Sequence, residues 1–325
     1  MVSIKDIAKR AGVSISTVSY ALNGSTKVTE ETRARIMALA EELDYIPNAA
    51  ARNLKKQETK IIGAYLTDYS GAFYGHLLHG MREKLSKSGY ELIVCTGTQS
   101  HRFLPERMID GAIILDASFQ DAELLSYAER GHKLVVLDRE LMHDNIRQVL
   151  LDNQAGAGIA VHTLLDAGLD KLYFVTGPKE SYDSTRRLEA ARAAVKDNPN
   201  VAYTEIQGHF DKESGMAAAE KITKEYSGPV GVFCFNDEMA IGMFNFLSNT
   251  EFIIGKDIHI IGFDNIEISH YIDPRLTTIA YSKKKWGAMA AGALLDLIKG
   301  ESEPNGPMKI QVSLLEGRSV RAVSK

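Results

Sequence analysis

Cysteine is nearly absent from this chain: two occur in 325 residues, Cys95 and Cys234, each inside an apolar run that reads as a buried strand. A disulfide framework and a CxxC metal site are both excluded, and the two thiols are expected to be small buried hydrophobes. Long apolar runs are missing too, since no stretch approaches the roughly 18 residues of a membrane-spanning helix. The first residues lead directly into Lys5, Asp6, Lys9 and Arg10, without the apolar segment of an export signal. The expectation is a cytoplasmic protein with no membrane partner. Enzyme motifs are equally scarce: G-x-x-x-x-G-K-[ST], H-E-x-x-H and G-x-S-x-G do not occur. Gly156, Ala157 and Gly158 lack the third glycine of a dinucleotide fingerprint and read as a tight βα turn. His76 and His79 read as a solvated helix face rather than a metal site. Neither catalysis nor a cofactor nor a metal is expected.

What is present is an uneven charge distribution. The chain carries 38 Lys and Arg against 42 Asp and Glu, a net −4. Residues 1–60 hold ten basic and seven acidic side chains, a local +3, which leaves −7 for residues 61–325. A basic head on an acidic body suggests that the two parts meet different partners. The length itself implies two or three folded units.

In the head, Ser3 and Asp6 form an S-x-x-D helix start, and Ile4, Ile7, Ala8 and Ala11 share one helical face. Gly12, Val13 and Ser14 break that helix. Ser14 can cap a second helix carrying Val18 and Leu22, which Asn23 and Gly24 end. A third helix from about Glu30 to Asp44, with Ile36, Leu39, Ala40 and Leu43 at helical spacing, closes a small core. Two short helices joined by a glycine turn describe a helix-turn-helix, whose second helix would turn Ile15, Ser16, Thr17, Ser19 and Tyr20 toward a DNA major groove. After Pro47, about two turns of Ala-rich helix carry too little apolar surface to be stable alone.

The run from Ile4 to Leu54 resembles the headpiece of the lactose-repressor/galactose-repressor (LacI/GalR) transcription factors. Asp6, Ala8, Gly12, Val13, Ser14, Thr17, Val18, Asn23, Tyr45, Pro47 and Asn48 carry the likeness. The resemblance implies a DNA-binding set of Ser14, Ile15, Ser16, Thr17, Ser19, Tyr20, Asn23, Asn48, Ala51 and Leu54. It also implies that residues 47–60 form a hinge helix and linker after a headpiece of residues 1–46, with Leu54 wedging into the minor groove of a bent operator. One departure matters. Tyr20 stands where the family usually has Arg, so the bidentate contact to guanine is lost and no operator sequence can be carried over.

From Ile61 onward, short apolar runs alternate with helical stretches, with strands expected at 61–66, 91–95, 111–115, 133–137, 171–176, 231–235, 259–263 and 278–281. This alternation implies parallel sheets covered by helices, an α/β body with a ligand cleft at the strand ends. Fifteen residues between Cys95 and Gly111 leave room for only a short second helix. The body also resembles the family's effector domain, similar to periplasmic sugar-binding proteins, through Phe235 to Ala240, Ile261 to Asn265 and Pro274 to Ile279. That likeness implies two doubly wound parallel-sheet subdomains, near 61–158 plus 280–312 and 159–279 plus 313–325. Asp68, Phe73, Arg187, Phe210, Asn236, Asp264 and Tyr281 would line the cleft.

The resulting expectation is a homodimeric repressor of near-palindromic double-stranded operator DNA, controlled by a sugar or related small-molecule effector. A corepressor- or partner-protein-activated regulator of the same family is the first alternative. A sugar-binding transport component is the second, and the basic helical head and missing export signal argue against it.

Overall fold

The computed structural model describes residues 2–46, 58–67, 69, 73–196, 198–301 and 306–322. The chain divides at Thr59 and Lys60 into two compact units. The expected contact residues Asn48, Ala51, Leu54 and Asp68 lie outside the described residues.

The first unit contains α1 (Ile4–Ala11), α2 (Ile15–Leu22) and α3 (Glu30–Glu42). Their facing sides bury Ile7, Val18 and Ile36 completely, with Ala8, Ala11, Ala21, Val28 and Ala40 around them. Each start is locally encoded. The Asp6 carboxylate accepts both the backbone N–H (2.9 Å) and the hydroxyl (2.7 Å) of Ser3. The Ser14 hydroxyl accepts the Thr17 N–H at 3.1 Å, and Thr29 accepts that of Thr32 at 3.4 Å. Gly12, at φ 63°, turns the chain from α1 into α2.

The second unit holds two six-stranded sheets. The first, ordered β11-β5-β4-β3-β1-β2, is wholly parallel: β1 (Ile61–Leu66), β2 (Glu91–Cys95), β3 (Gly111–Leu115), β4 (Lys133–Val136), β5 (Ile146–Leu151) and β11 (Met308–Ile310). In the second, β6 (Lys171–Thr176), β7 (Ala202–Gln207), β8 (Val230–Cys234), β9 (Ile258–Phe263) and β10 (Thr277–Ala280) run parallel. The short β12 (Ser313–Leu315) closes its edge antiparallel, in the order β12-β10-β9-β8-β6-β7. The helices are α4 (Tyr74–Ser86), α5 (Asp121–Glu129), α6 (Asn153–Asp166), α7 (Tyr182–Lys196), α8 (Lys212–Lys224), α9 (Asp237–Leu247) and α10 (Lys283–Lys299). A 3₁₀ turn, Thr98–Phe103, occupies the short β2–β3 connection. Both sheets reverse strand order beside their first strand, so each has a crevice at its carboxyl ends.

The chain passes between the sheets at three places, and two of them differ from the expected boundaries. Buried Ala157, Ala160, Val161 and Leu164 seat α6 against the second sheet, so the first passage lies near Asp152 and residue 158 falls inside a helix. Ala280 pairs with Ser313 in the second sheet, so the second passage comes after residue 280, before α10 packs on the first sheet. The third passes between Ile310 and Ser313. Gly156 is likewise a helical residue rather than a turn: a Cβ there would lie 2.6 Å from the Phe263 ring, so glycine is what lets α6 meet β9. A similar close approach joins α4 to α10, where a Cβ on Gly80 would fall 2.0 Å from the Lys284 carbonyl and one on Gly287 2.0 Å from that of Leu77. Strands β5, β7, β11 and β12 were not among those expected. β7 is an exposed edge strand with polar Glu205 and Gln207, while β11 and β12 have three residues each.

Candidate functional site

Two regions carry functional geometry. In the first unit, α2 presents Ser14, Ile15 and Ser16 to solvent, with Ile15 46% exposed, and leaves Thr17 and Ser19 half-exposed. Asn23 is exposed, and its amide donates to the Ser19 carbonyl at 2.7 Å, closing the end of α2. Because the Ser14 hydroxyl is held by Thr17, the positive end of α2 is fixed beside the outward residues, an arrangement suited to phosphate. Tyr20 is half-exposed like Thr17 and Ser19. It lies one residue, about 100°, from buried Ala21, and its half-buried ring packs against the three-helix core with the Lys27 ammonium 5.2 Å from its centre.

In the second unit, Arg187 on α7 is 3% exposed and anchors a network at the strand ends. Its Nε donates to Asn153 Oδ1 at 2.8 Å, and Nη1 donates to the Phe235 carbonyl. The guanidinium lies 3.6 Å from the centre of the Phe263 ring, and Nη2 is 4.0 Å from Asp264 Oδ1. Asp264 follows β9 at φ 108°, a backbone conformation that costs energy for a residue with a Cβ. The surroundings hold it there. Tyr281 donates to Asp264 Oδ1 at 2.8 Å, and the Lys283 ammonium donates to the Asp264 carbonyl and, at 3.3 Å, to that of Asn265.

Two further carboxylates border this cluster. Asp183, one helical turn before Arg187, accepts the Asn153 amide at 2.6 Å. Asp138, after β4, is held by Arg139 through bonds of 2.9 and 3.0 Å. Burial raises the carboxyl pKa of Asp264 and of Asp183, against the pull of Arg187, and raises that of Asp138 against the pull of Arg139. Burial also lowers the pKa of the Lys283 ammonium and raises that of the Tyr281 hydroxyl. Beneath them, Asp237 accepts the Thr278 hydroxyl at 2.6 Å and the Ile266 N–H at 2.9 Å, and burial holds it at about 7.

Of the expected cleft residues, Arg187 and Tyr281 both face Asp264 Oδ1, at 4.0 and 2.8 Å. Asn236 and Phe210 adjoin them: Asn236 caps α9 by accepting the Met239 N–H at 3.0 Å and donates to the Phe210 carbonyl at 2.8 Å. Phe73 meets the edge of Trp286 at 6.2 Å, and Trp286 in turn packs on Tyr281 at 5.9 Å. Asn153, Asp183 and Lys283 were missed. Only the four-residue spacing of Asp183 and Arg187 on one helix was visible in the sequence. The rim is also bridged: Glu140, after β4, accepts the Tyr182 hydroxyl at 2.7 Å and an Arg186 N–H at 3.3 Å, both from α7 on the other sheet.

Residues 3–48 match the model of bacterial regulatory proteins of the lacI family, and residues 161–320 match a periplasmic binding protein-like domain. The chain is 33% identical to the ribose operon repressor of Haemophilus influenzae over 318 residues, covering 93% of this chain and 94% of that protein. The chain belongs to the LacI family. Among solved structures, this LacI-family chain is 47% identical to a sugar-binding transcriptional regulator from Enterococcus faecalis, with a TM-score of 0.76 over 81% of this chain and 98% of that one. A lac repressor dimer bound to operator and an anti-inducer shares the fold, with a TM-score of 0.84 at 24% identity and 99% of both chains covered. The resemblance read from the head and body residues thus holds along the chain. Among the described residues, no helix is long and apolar enough to cross a membrane and no cluster of three metal-ligating side chains occurs.

Proposed function

We propose that this LacI-family protein is a cytoplasmic, homodimeric transcriptional repressor whose hold on operator DNA is set by a sugar or related small molecule bound between its two sheets. The observation that carries this reading is the union, in one chain, of a lacI-type headpiece with a binding-protein-like body whose strand ends converge on Arg187, Asp264 and Tyr281. Ile15 and Ser16 are the residues of α2 best placed to reach base edges, Ile15 by contact with a thymine methyl. Asn48, Ala51 and Leu54 are assigned to the minor groove by family likeness. Because one such helix reads only a few base pairs, two heads on half-sites about 34–36 Å apart are needed for a specific operator.

In the cleft, Asp264 and Arg187 would exchange hydrogen bonds with ligand hydroxyls while Phe73 and Phe210 cover its apolar face. Asn236 and Asp68 complete the set. The body binds rather than transforms its ligand. Control follows if the ligand prefers one closure of the two sheets, and it can move operator affinity only by that differential binding, typically about 5- to 150-fold. Operator titration at fixed physiological salt, with and without free sugars, tests the reading and gives the ligand's sign. It fails if no near-palindromic duplex is preferred over random DNA under any of these conditions.

A further inference from the structure

Residues 61–325 are acidic as a whole, with 28 basic against 35 acidic side chains, yet one place on the body gathers lysine. Beside the close contact of α4 and α10 at Gly80, an open cavity of about 300 Å³ is lined by Lys84 and Lys87 from α4 and by Lys284 and Lys285 from α10. All four side chains are exposed. Among the described residues, Glu83 brings the one carboxylate of the lining, 2.7 Å from the Lys284 ammonium and 3.5 Å from that of Lys87, and no ion pair joins Lys84 or Lys285 to a carboxylate. Four ammonium groups against one carboxylate leave a local +3. Lys84 and Lys87 stand three apart on one helix, a spacing at which like charges oppose each other. The hydrogen bond and charge of Lys284 hold the Glu83 carboxyl below its usual pKa. The first turn of α10 adds its positive end: Ser282 accepts the Lys285 N–H at 3.1 Å, while the N–H groups of Lys283 and Lys284 come before the first intrahelical bond.

We infer that this cavity is a second ligand site, separate from the cleft, which binds the phosphate group of a small molecule. A phosphate carries about two negative charges and acceptor oxygens alone, and lysine ammonium groups receive it as point charges that need no fixed geometry. Bound among the four lysines, it offsets the local +3 and relieves their mutual repulsion. The volume lies at the lower end of the roughly 300–1,000 Å³ typical of ligand pockets, enough for a phosphate with a few carbon atoms attached. None of the residues assigned to the cleft lines this cavity, so the inference stands apart from the effector reading.

Isothermal titration of the full chain without DNA, at about 0.15 M ionic strength, with glycerol 3-phosphate and with inorganic phosphate tests this. At least one of the two is expected to bind. Tighter binding of the ester assigns the site to a phosphorylated metabolite, and tighter binding of the free ion assigns it to inorganic phosphate. A variant carrying both Lys84→Gln and Lys285→Gln should bind the tighter of the two about tenfold more weakly or worse, with Trp286-monitored unfolding in the absence of phosphate unchanged. Glu83→Gln should move affinity the other way, tightening it about threefold by removing the competing carboxylate. Binding that is equally tight in the double lysine variant would place the phosphate in the headpiece or the cleft and overturn the inference. So would a Glu83→Gln variant that binds more weakly than the parent, or no binding of either compound at millimolar concentration.

Discussion

The headpiece and the cleft use polar side chains in opposite ways. In the head, the capping hydrogen bonds are exposed and join residues three or four apart, as in Ser3–Asp6, Ser14–Thr17, Ser19–Asn23 and Thr29–Thr32. In the cleft they are buried and join residues 34 apart for Arg187 and Asn153, 48 for Arg187 and Phe235, and 17 for Tyr281 and Asp264. The consequence is electrostatic as well as topological. The hydrogen bond from Ser3 lowers the pKa of the exposed Asp6 carboxyl, whereas burial raises the pKa of each of Asp138, Asp183, Asp237 and Asp264. A headpiece needs its helices started correctly and its charges in water. A receptor for a polar ligand needs polar atoms held dry and in register until the ligand arrives.

The largest expected effect separates the two regions by stability. Arg187→Ala removes a buried cation that attracts both Asp183 and Asp264 and is stacked on Phe263, leaving Lys283 alone beside Asp264. Loss of one partner from a buried ion cluster typically costs about 3–5 kcal/mol. The single tryptophan, Trp286, is buried in the body and bonded to the Val149 carbonyl at 2.7 Å. Its fluorescence in a urea titration therefore reports body unfolding. A midpoint unchanged from the parent would show that the network adds no stability and that its polar groups are matched without Arg187.

The next effect is the opposite response to pH. Asp237 titrates at about 7 in the fold and near 3.9 in an unfolded chain, so the folded body keeps a proton that the unfolded chain releases. Its stabilising contribution is therefore fully present below about pH 4 and is lost as pH rises through about 7. At about 1.4 kcal/mol per unit, this is of the order of 4 kcal/mol. Asp237→Asn keeps an acceptor for the Ile266 N–H and offers an amide donor to the Thr278 hydroxyl. It should flatten the slope of body stability between pH 4 and 7. Asp6 works in the other direction: its contribution is present above about 3.8 and lost as pH falls through its lower folded value. An identical pH slope in parent and Asp237→Asn, read from Trp286 fluorescence, would remove the buried acid as its source.

The same contrast explains what could be read before the fold was known. The three head helices are signalled by capping residues and apolar spacing a few positions apart, so their limits follow from local sequence. The interior strands were legible as apolar runs. β7 was not, because an edge strand half in water carries Glu205 and Gln207 and does not resemble a buried strand. The family likeness pointed to Arg187, Asp264 and Tyr281, and to Asn236, Phe210 and Phe73 beside them. Asn153 and Lys283 reach the cluster through tertiary packing, one at the start of α6 and the other at the start of α10, and no short-range pattern points from either to Arg187. Tyr20, half-exposed like Thr17 and Ser19, also touches the three-helix core, which helical phase alone does not show.

The smallest effect tests whether the head is as locally determined as this comparison requires. Ser14→Ala removes the acceptor for the Thr17 N–H and leaves the start of α2 to water. An N-cap loss of this kind costs about 1 kcal/mol. Because Val18 and Ala21 still seat α2 in its core, the helix should remain folded with a frayed first turn, next to Ile15 and Ser16. Operator affinity should then fall by roughly five- to tenfold, the equivalent of about 1–1.4 kcal/mol, while Trp286-monitored unfolding of the body is unchanged. If the variant's salt dependence of DNA binding is also unchanged, the loss lies in the placement of the reading residues rather than in phosphate contacts. A body destabilised by Ser14→Ala would show instead that the two units do not fold independently, and the contrast between local and long-range encoding would no longer hold.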